Sequence, residues 1–374
     1  MNAHVKTPSR REVMVISAAA VGGSLLIGCS PAKLLSIGAD SSHFGPFGPF
    51  LRIAPDGAVT VVSKHIEFGQ GNHAGLAAIV AEELDADWNA VKVVQAPANT
   101  AVYANLGMGF QGTGGSSAIA NSWPQLRKVG AAARAMFVQA AAARWGVPGG
   151  EIAVKDSVLS HPSGKQAHFG ELVGDAAKVV PPKDPPLKNP ANFTLIGTDR
   201  VRRKDAAAKS TGTARFTQDV HKPNMLTAMV AHSPRFGGKV KRFDAAAARK
   251  IAGVVDVFEI PTGVAVVAQN SWAARQGRDA LVVTWDDDKA EKRGTDAILA
   301  RYRDLAAGRA APAGAEKWQA FEARGGAAPA GGKVVEALYD FPYLAHATME
   351  PMNCVAEIGG GANRLTTGSQ VPSL

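Results

Sequence analysis

The stretch LRIAPDGAVTVVSKHIEFGQGNHAGLAAIVAEEL, residues 51–84, decides the fold of the first part of the chain. Two short apolar runs surround Pro55-Asp56-Gly57, and this pattern predicts a β-hairpin. The stretch then passes through Gly69-Gln70-Gly71 into a segment with helical periodicity from His73, for which Asn72 is the expected N-cap. Two glycines directly before a helix indicate either a tight turn or a backbone cradle for an anionic ligand.

A second glycine-rich stretch, GFQGTGGSSAIAN at 109–121, leads into an Ala-rich segment that predicts one long helix or two, ending at Trp145. Small residues at a helix start leave backbone N–H groups and hydroxyls free for phosphate, although a simple turn is the alternative. The formal G-x-G-x-x-G at 107–112 is not a dinucleotide fingerprint. No strand candidate ends directly before it, and no acidic residue lies between Asp87 and Glu151 to bind a ribose.

The composition describes a chain that buries a core and favours anionic partners. It has 374 residues, 46% of them hydrophobic, and a net charge of +9. Its densest basic run, Arg200–Lys204, has no interleaved aromatic residue, so the sequence predicts no nucleic-acid partner. We expect this run to be a solvated face, with a partner surface as the alternative.

Metal-ligating residues are sparse. The two cysteines, Cys29 and Cys354, cannot hold an iron–sulfur cluster, which normally needs four thiolates. The nine histidines show no paired spacing of the kind that binds zinc. Any redox metal is therefore expected inside a cofactor or on a partner, and no residue of this chain is expected to ligate a metal.

The first thirty residues are predicted to be an export signal. Arg10-Arg11 precede an uncharged apolar stretch at 13–27, shorter than the roughly 20 residues that span a bilayer. The pattern resembles a twin-arginine signal, which predicts a periplasmic protein. Leu26-Ile27-Gly28-Cys29 resembles a lipobox, so Cys29 is either acylated or a small residue near an ordinary cleavage site.

The rest of the chain is expected to contain two modules of mixed helices and strands. Within the later part, the pattern predicts a helix from Ala245 and a strand at 333–341. The predicted divisions are a linker at 31–49, a first segment at 50–178, a Pro-rich linker at 179–195, an α/β module at 196–290, a helix and linker at 291–332, and a last segment at 333–374.

Four stretches carry a resemblance to a known family, and they lie at 56–84, 105–121, 211–287 and 344–372. Together they resemble the large subunit of the molybdenum hydroxylases, the xanthine dehydrogenase and aldehyde oxidase type, in the branch of isoquinoline 1-oxidoreductase. The resemblance implies an α+β fold in which molybdopterin-binding segments flank an α/β hammerhead domain at 196–290.

The resemblance also implies a cofactor, molybdopterin cytosine dinucleotide with molybdenum held by the pterin's own sulfurs. Gln370 matches the family glutamine that contacts the apical oxygen ligand of molybdenum, and Glu350 is expected only to support the site. The residues implied in cofactor binding are Gly69, Gln70, Gly71, Gly112, Thr113, Gly114, Gly115 and Ser116.

The implied reaction is the oxidation of an N-heterocycle or an aldehyde with water as oxygen donor. Electrons would pass to iron–sulfur clusters on a small partner subunit. The glutamate that acts as the catalytic base in the family falls beyond Leu374. We therefore expect this chain to be inactive alone and to need a second chain or segment that carries the remaining half. Two alternatives stay open at this point: an exported solute-binding lipoprotein, and a noncatalytic fragment that folds only with a partner.

Overall fold

A computed structural model describes residues 45–309, 331–333, 335–359 and 363–373. The predicted leader with Cys29, and parts of the predicted linkers at 31–49 and 291–332, lie outside these ranges. The chain divides into two compact units. The first takes the described residues up to Thr217 and those from Asn353 onward, and the second is Gln218–Met352. Small sheets and separate helices in both units confirm the α+β class.

The first unit begins with the predicted hairpin. Strands β1 (Leu51–Ile53) and β2 (Val59–Ser63) pair antiparallel, and β3 (Val91–Gln95) pairs parallel with β2. Gly57 makes the turn with φ of 84°, and a Cβ there would lie 2.1 Å from the ring of His168, so only glycine fits.

Three helices follow: α1 (Asn72–Leu84), the short α2 (Thr100–Tyr103) and α3 (Ala118–Trp145). Helix α3 is a single helix of 28 residues, although Pro124 inside it removes one backbone donor. Gly130 lets α3 approach α1 closely, because a Cβ on Gly130 would lie 2.4 Å from the Val80 carbonyl oxygen. No helix within the described residues is long and apolar enough to cross a membrane.

A second small sheet and one more helix complete the core of this unit. They are β4 (Ala153–Lys155), β5 (Val158–Ser160), β6 (Gln166–His168) and α4 (Phe169–Ala176). The three strands are antiparallel in the order β4-β5-β6. Phe137 of α3 stacks on Phe47 and on Phe169, with ring centroids 5.5 and 4.4 Å apart. These rings join α3 to the chain before β1 and to the start of α4 within the core.

The Pro-rich segment predicted as a linker at 179–195 packs onto the first unit. Leu195 is buried in its core, and the buried carboxylate of Glu82 accepts the N–H groups of Thr194, Leu195 and Ile196 at 2.7–3.1 Å. Lys188 pairs with the same carboxylate at 3.0 Å. The unit therefore continues through α5 (Ala206–Ser210) to Thr217, past the predicted start of the second module at 196.

Within the described residues, the second unit contains two sheets and two helices. Their elements are β7 (Thr227–Ala231), β8 (Lys239–Asp244), β9 (Val254–Ile260), β10 (Gly263–Ala268), α6 (Ser271–Asp279), β11 (Val282–Asp286) and α7 (Thr295–Ala306). The helix predicted from Ala245 is wrong, because only a 3-10 turn at Ala248–Lys250 forms in the short connection between β8 and β9. The strand predicted at 333–341 is also wrong, since the described residues there form no ladder.

The chain returns to the first unit with one more pair of antiparallel strands. Strands β12 (Cys354–Glu357) and β13 (Arg364–Thr367) pair antiparallel. The residues after β13 then reach the loop before α3. Both ends of the described chain thus build one unit, and the second unit lies between them in sequence.

Candidate functional site

Residues 67–71, here called the GQG loop, connect β2 to α1. Gly69 and Gly71 have φ of 115° and 85°, values that favour glycine. Their N–H groups donate to Glu67 Oε1 at 2.8 and 2.9 Å, and the His73 N–H donates to Glu67 Oε2 at 3.1 Å. The sequence left a tight turn and an open backbone cradle as alternatives at Gly69 and Gly71. A carboxylate of the chain itself holds both amides, so they are not open to an anion, and the contact of these residues with the cofactor stays a prediction.

The side chain of Gln70 folds back onto its own loop. Its Oε1 accepts the Phe68 N–H at 2.8 Å, and its Nε2 donates to the Ile66 carbonyl at 3.0 Å. Asn72 does not cap α1 with its side chain but donates to the same carbonyl at 2.9 Å. Gln70 remains exposed, so its assignment to the cofactor stays a prediction.

Residues 112–117, here called the TGG loop, lead into α3. Gly115 and Ser116 both have left-handed φ values, 60° and 53°. In the described part of the chain the N–H groups of Gly114, Gly115 and Ser116 have no acceptor. Ser117 does not cap α3, since its hydroxyl donates to the Gly114 carbonyl at 2.7 Å. Bare amides at the start of a long helix form a site for an anionic group.

Thr113 joins the predicted stretches by hydrogen bonds. Its Oγ1 accepts the Ile66 N–H at 3.0 Å, next to the GQG loop. Its N–H donates to the Gln370 carbonyl, and Gln370 Nε2 donates to the Thr113 carbonyl, both at 2.9 Å. Ser373 extends this pairing, because its Oγ accepts the Gln111 N–H at 3.1 Å. The structure therefore brings Gln370, the TGG loop and the GQG loop together.

Glu350 belongs to the second unit, where its Oε1 accepts the Gln218 N–H at 2.9 Å. Its role in supporting the site stays a prediction.

Two ionisable side chains that the sequence analysis did not select, Lys64 and His65, lie buried at the end of β2. Burial lowers the pKa of Lys64 to about 8, and its Nζ donates to Gln125 Oε1 at 2.7 Å. Burial and then the Lys64 charge lower the pKa of His65 to about 4, and its Nδ1 lies 3.3 Å from Thr113 Oγ1. The sequence signal that could have identified these two residues is a Lys-His pair placed directly between an apolar strand and a glycine loop.

A cavity of about 500 Å³ lies elsewhere in the first unit. It is lined by residues 45–49, by the middle of α3 and by prolines of the 181–185 stretch. None of the predicted site residues lines it, so the site around Thr113 is separate from this cavity.

Comparison with known proteins identifies the family. Residues 23–222, more than half of the chain, match the family model of the molybdopterin cofactor-binding domain. That range contains both glycine loops.

The chain belongs to the molybdenum hydroxylase family.

Two relatives and one solved structure illustrate the likeness. Isoquinoline 1-oxidoreductase subunit beta of Brevundimonas diminuta is 34% identical over 334 residues, which are 79% of this chain and 42% of that protein. A membrane-bound aldehyde dehydrogenase of Gluconacetobacter polyoxogenes, named for pyrroloquinoline quinone, is 30% identical over 98% of this chain and 48% of its own length. A Cu,Mo-containing carbon monoxide dehydrogenase is 17% identical over 23% of this chain and 15% of its own, with a TM-score of 0.20. The chain thus spans less than half the length of the two sequence relatives.

The family implies a molybdenum-bearing molybdopterin, and the two loops fit its anionic parts unequally. The TGG loop fits, because three N–H groups without an acceptor in the described residues stand at the start of α3. The amides of Gly69, Gly71 and His73 do not fit, because they already bind Glu67 and its charge would repel a phosphate.

Proposed function

We propose that this chain is the part of a molybdenum hydroxylase large subunit that binds molybdopterin cytosine dinucleotide. One observation carries the proposal: Thr113 joins the open amides of the TGG loop to Gln370 and to the strand end before the GQG loop. Three separate stretches selected from the sequence therefore converge on one surface.

Each part of this surface has a distinct role in the proposal. The N–H groups of Gly114, Gly115 and Ser116 would donate to the pyrophosphate, and the α3 N-terminus adds favourable electrostatics. Thr113 would connect the three stretches rather than contact the cofactor, since its backbone N–H, its carbonyl and its hydroxyl already form hydrogen bonds. Gln370 is exposed and keeps one amide hydrogen beyond the one given to Thr113, which suits contact with an oxygen acceptor. When bound, the cofactor supplies two-electron oxidation with water as oxygen source.

The substrate class in this proposal is an N-heterocycle or an aldehyde, and electrons leave through a small iron–sulfur subunit. The names of the two sequence relatives, an isoquinoline oxidoreductase subunit and an aldehyde dehydrogenase, support these classes. The whole enzyme's reaction and partners belong to the proposal because the chain spans only part of either relative.

Exposed apolar side chains in the second unit support a further polypeptide. Phe341, Leu344 and Met349 are 79%, 80% and 99% exposed in a stretch without regular structure. Such a run of exposed apolar side chains is typical of a surface that another polypeptide covers. We propose that the remaining half of the large subunit covers it.

The predicted leader adds a location to the proposal. Twin-arginine export carries folded proteins, which suits a subunit that takes up a bulky cofactor before it crosses the membrane. We propose a periplasmic subunit, either free or anchored by a lipid on Cys29.

Metal and nucleotide analysis tests the proposal. We expect the full 374-residue chain from a molybdenum-replete host to carry about one molybdenum and to release cytidine monophosphate on acid hydrolysis. Ser116→Asp adds a negative charge among the open amides and should lower both contents about tenfold or more, since a repelled charge pair costs at least about 1.4 kcal/mol.

Ala143→Asp is the matched control for this experiment. It adds the same charge to an exposed position at the far end of α3 and should leave both contents unchanged. A wild-type chain without molybdenum, as a solute-binding lipoprotein would be, contradicts the proposal. So does a Ser116→Asp chain that loads like the wild type.

A further inference from the structure

Three side chains of the basic run Arg200–Lys204 contact the first unit, although the arginines of the run are exposed. Arg200 pairs with Asp156 at 2.9 Å. The Lys204 ammonium lies 4.2 Å from the ring centroid of Trp88 and donates to the Trp88 carbonyl. Arg203, between them, contacts the GQG loop. The basic run therefore contacts several elements of the first unit, and Arg203 reaches the candidate site.

Arg203 is oriented by its neighbour in sequence, Asp205. Its Nε donates to Asp205 Oδ1 at 2.9 Å and its Nη2 to Asp205 Oδ2 at 2.7 Å. This two-point contact fixes the plane of the guanidinium. The remaining donors point to the GQG loop, where Nη1 donates to the Gly69 carbonyl at 2.8 Å and Nη2 lies 3.3 Å from Glu67 Oε1.

Glu67 links Arg203 to the backbone of the GQG loop. Its side chain is only 6% exposed. Burial alone would raise the pKa of Glu67, but the N–H groups of Gly71, His73 and Gly69 and the charge of Arg203 lower it below its ordinary value. The carboxylate is therefore ionised at neutral pH, and Arg203 compensates its charge.

The GQG loop needs such a constraint because glycine has more backbone freedom than any other residue. Gly69 and Gly71 both adopt positive φ, and Phe68, Gly69 and Gln70 are exposed. Glu67 accepts the backbone N–H groups of Gly69 and Gly71, and Arg203 donates to the backbone carbonyl of Gly69. The loop is thus held through both kinds of backbone group.

We propose that Arg203 is a positioning residue: through Gly69 and Glu67 it fixes the GQG loop beside the TGG loop in the geometry that accepts the cofactor. This inference rests on the proposed function for its cofactor step. The loop-fixing step is a property of the chain alone and can be measured without any cofactor.

The test compares Arg203→Ala and Arg203→Lys with the control Arg200→Ala. Arg200 is a matched control because it lies in the same run, is 43% exposed against 40% for Arg203, and likewise binds a carboxylate and a backbone carbonyl, although Arg203 binds a second carboxylate. Its partners, Asp156 and Thr194, lie outside the GQG loop.

Hydrogen exchange of peptides that contain the amides of Gly69, Gly71 and His73 is the first readout. In Arg203→Ala we expect exchange about tenfold faster than in the wild type, the factor that corresponds to one lost charge-assisted hydrogen bond. Arg203→Lys keeps the charge without the fork and should lie in between. Arg200→Ala should exchange like the wild type at these amides. Equal exchange in wild type and Arg203→Ala overturns the proposal.

Molybdenum content of the same chains, isolated from a replete host, is the second readout. We expect a loss of about tenfold in Arg203→Ala, a partial rescue in Arg203→Lys and no loss in Arg200→Ala. Faster exchange with unchanged molybdenum overturns the positioning role. A wild-type chain without molybdenum overturns the proposed function, while the exchange readout still decides whether Arg203 fixes the loop. If Arg203→Ala does not fold, Arg203→Lys against Arg200→Ala gives the same two decisions.

Discussion

Replacing Thr113 with valine tests the junction on which the site depends. The change keeps the side-chain shape and removes the hydroxyl that accepts the Ile66 N–H at 3.0 Å. Thr113 is 7% exposed, so water cannot easily replace the lost acceptor. The lost hydrogen bond costs about 1 kcal/mol and the stranded donor about 1–2 kcal/mol more, giving about 2–3 kcal/mol in the free energy of unfolding.

Thr113→Ser is the matched control, because it keeps the hydroxyl and loses only a methyl group, for about 1 kcal/mol. We expect the urea midpoint of the valine variant, followed by tryptophan fluorescence, to fall clearly below that of the serine variant. Molybdenum content should fall in the same order, since the lost bond to Ile66 connects the TGG loop to the strand end before the GQG loop. A valine variant as stable as the serine variant refutes the assignment of Thr113 as the connecting residue.

Three further predictions concern the first unit. Glu82→Gln should destabilise the chain by about 3 kcal/mol and speed proteolysis of the 188–196 segment, because Lys188 loses one of its carboxylate partners and a neutral amide replaces the buried acceptor of three backbone N–H groups. Burial would raise the pKa of Glu82, but backbone N–H groups hold it below the ordinary value. This wild-type stability should therefore be present above about pH 4.5 and be lost as the pH falls further in urea titrations. Burial lowers the pKa of Lys64 to about 8, so its charge lowers the free energy of unfolding by about 3 kcal/mol at neutral pH. Lys64→Met should therefore be at least as stable as the wild type at pH 7. The wild type should gain stability relative to Lys64→Met between pH 8 and 10.5, and a constant difference over that range contradicts the burial argument. Gly130→Ala should lower the free energy of unfolding by about 1–3 kcal/mol, because its Cβ would lie 2.4 Å from the Val80 carbonyl oxygen. Gly174→Ala is the control, because no atom lies within 4 Å of the added Cβ. In thermal unfolding it should be neutral or stabilising by up to about 1 kcal/mol.

The two glycine loops differ in whether their backbone amides are free to bind an anion. In the GQG loop an internal carboxylate satisfies the amides, while in the TGG loop three amides are left without an acceptor in the described residues. An anionic ligand is therefore expected over the TGG loop. The GQG loop is then the wall beside it, held by Arg203.

The sequence by itself determined the local elements of this protein. The Pro-Asp-Gly turn, the helical period after Gly71 and the small residues before α3 act over a few residues, so their spacing is enough to predict the hairpin, both helices and both glycine loops. The family resemblance also follows from the sequence, because motifs are local.

Only the tertiary structure decided which groups the loops bind and where each unit ends. The amides of the GQG loop are filled by Glu67, and that carboxylate is held by Arg203 from more than a hundred residues away. The helix expected from Ala245 gave way to strand pairing at both its ends, and the Pro-rich segment was drawn in by the buried charge of Glu82. The contact of Arg203 and the packing of the Pro-rich segment depend on partners distant in the chain, and local spacing carries no information about which distant partner binds.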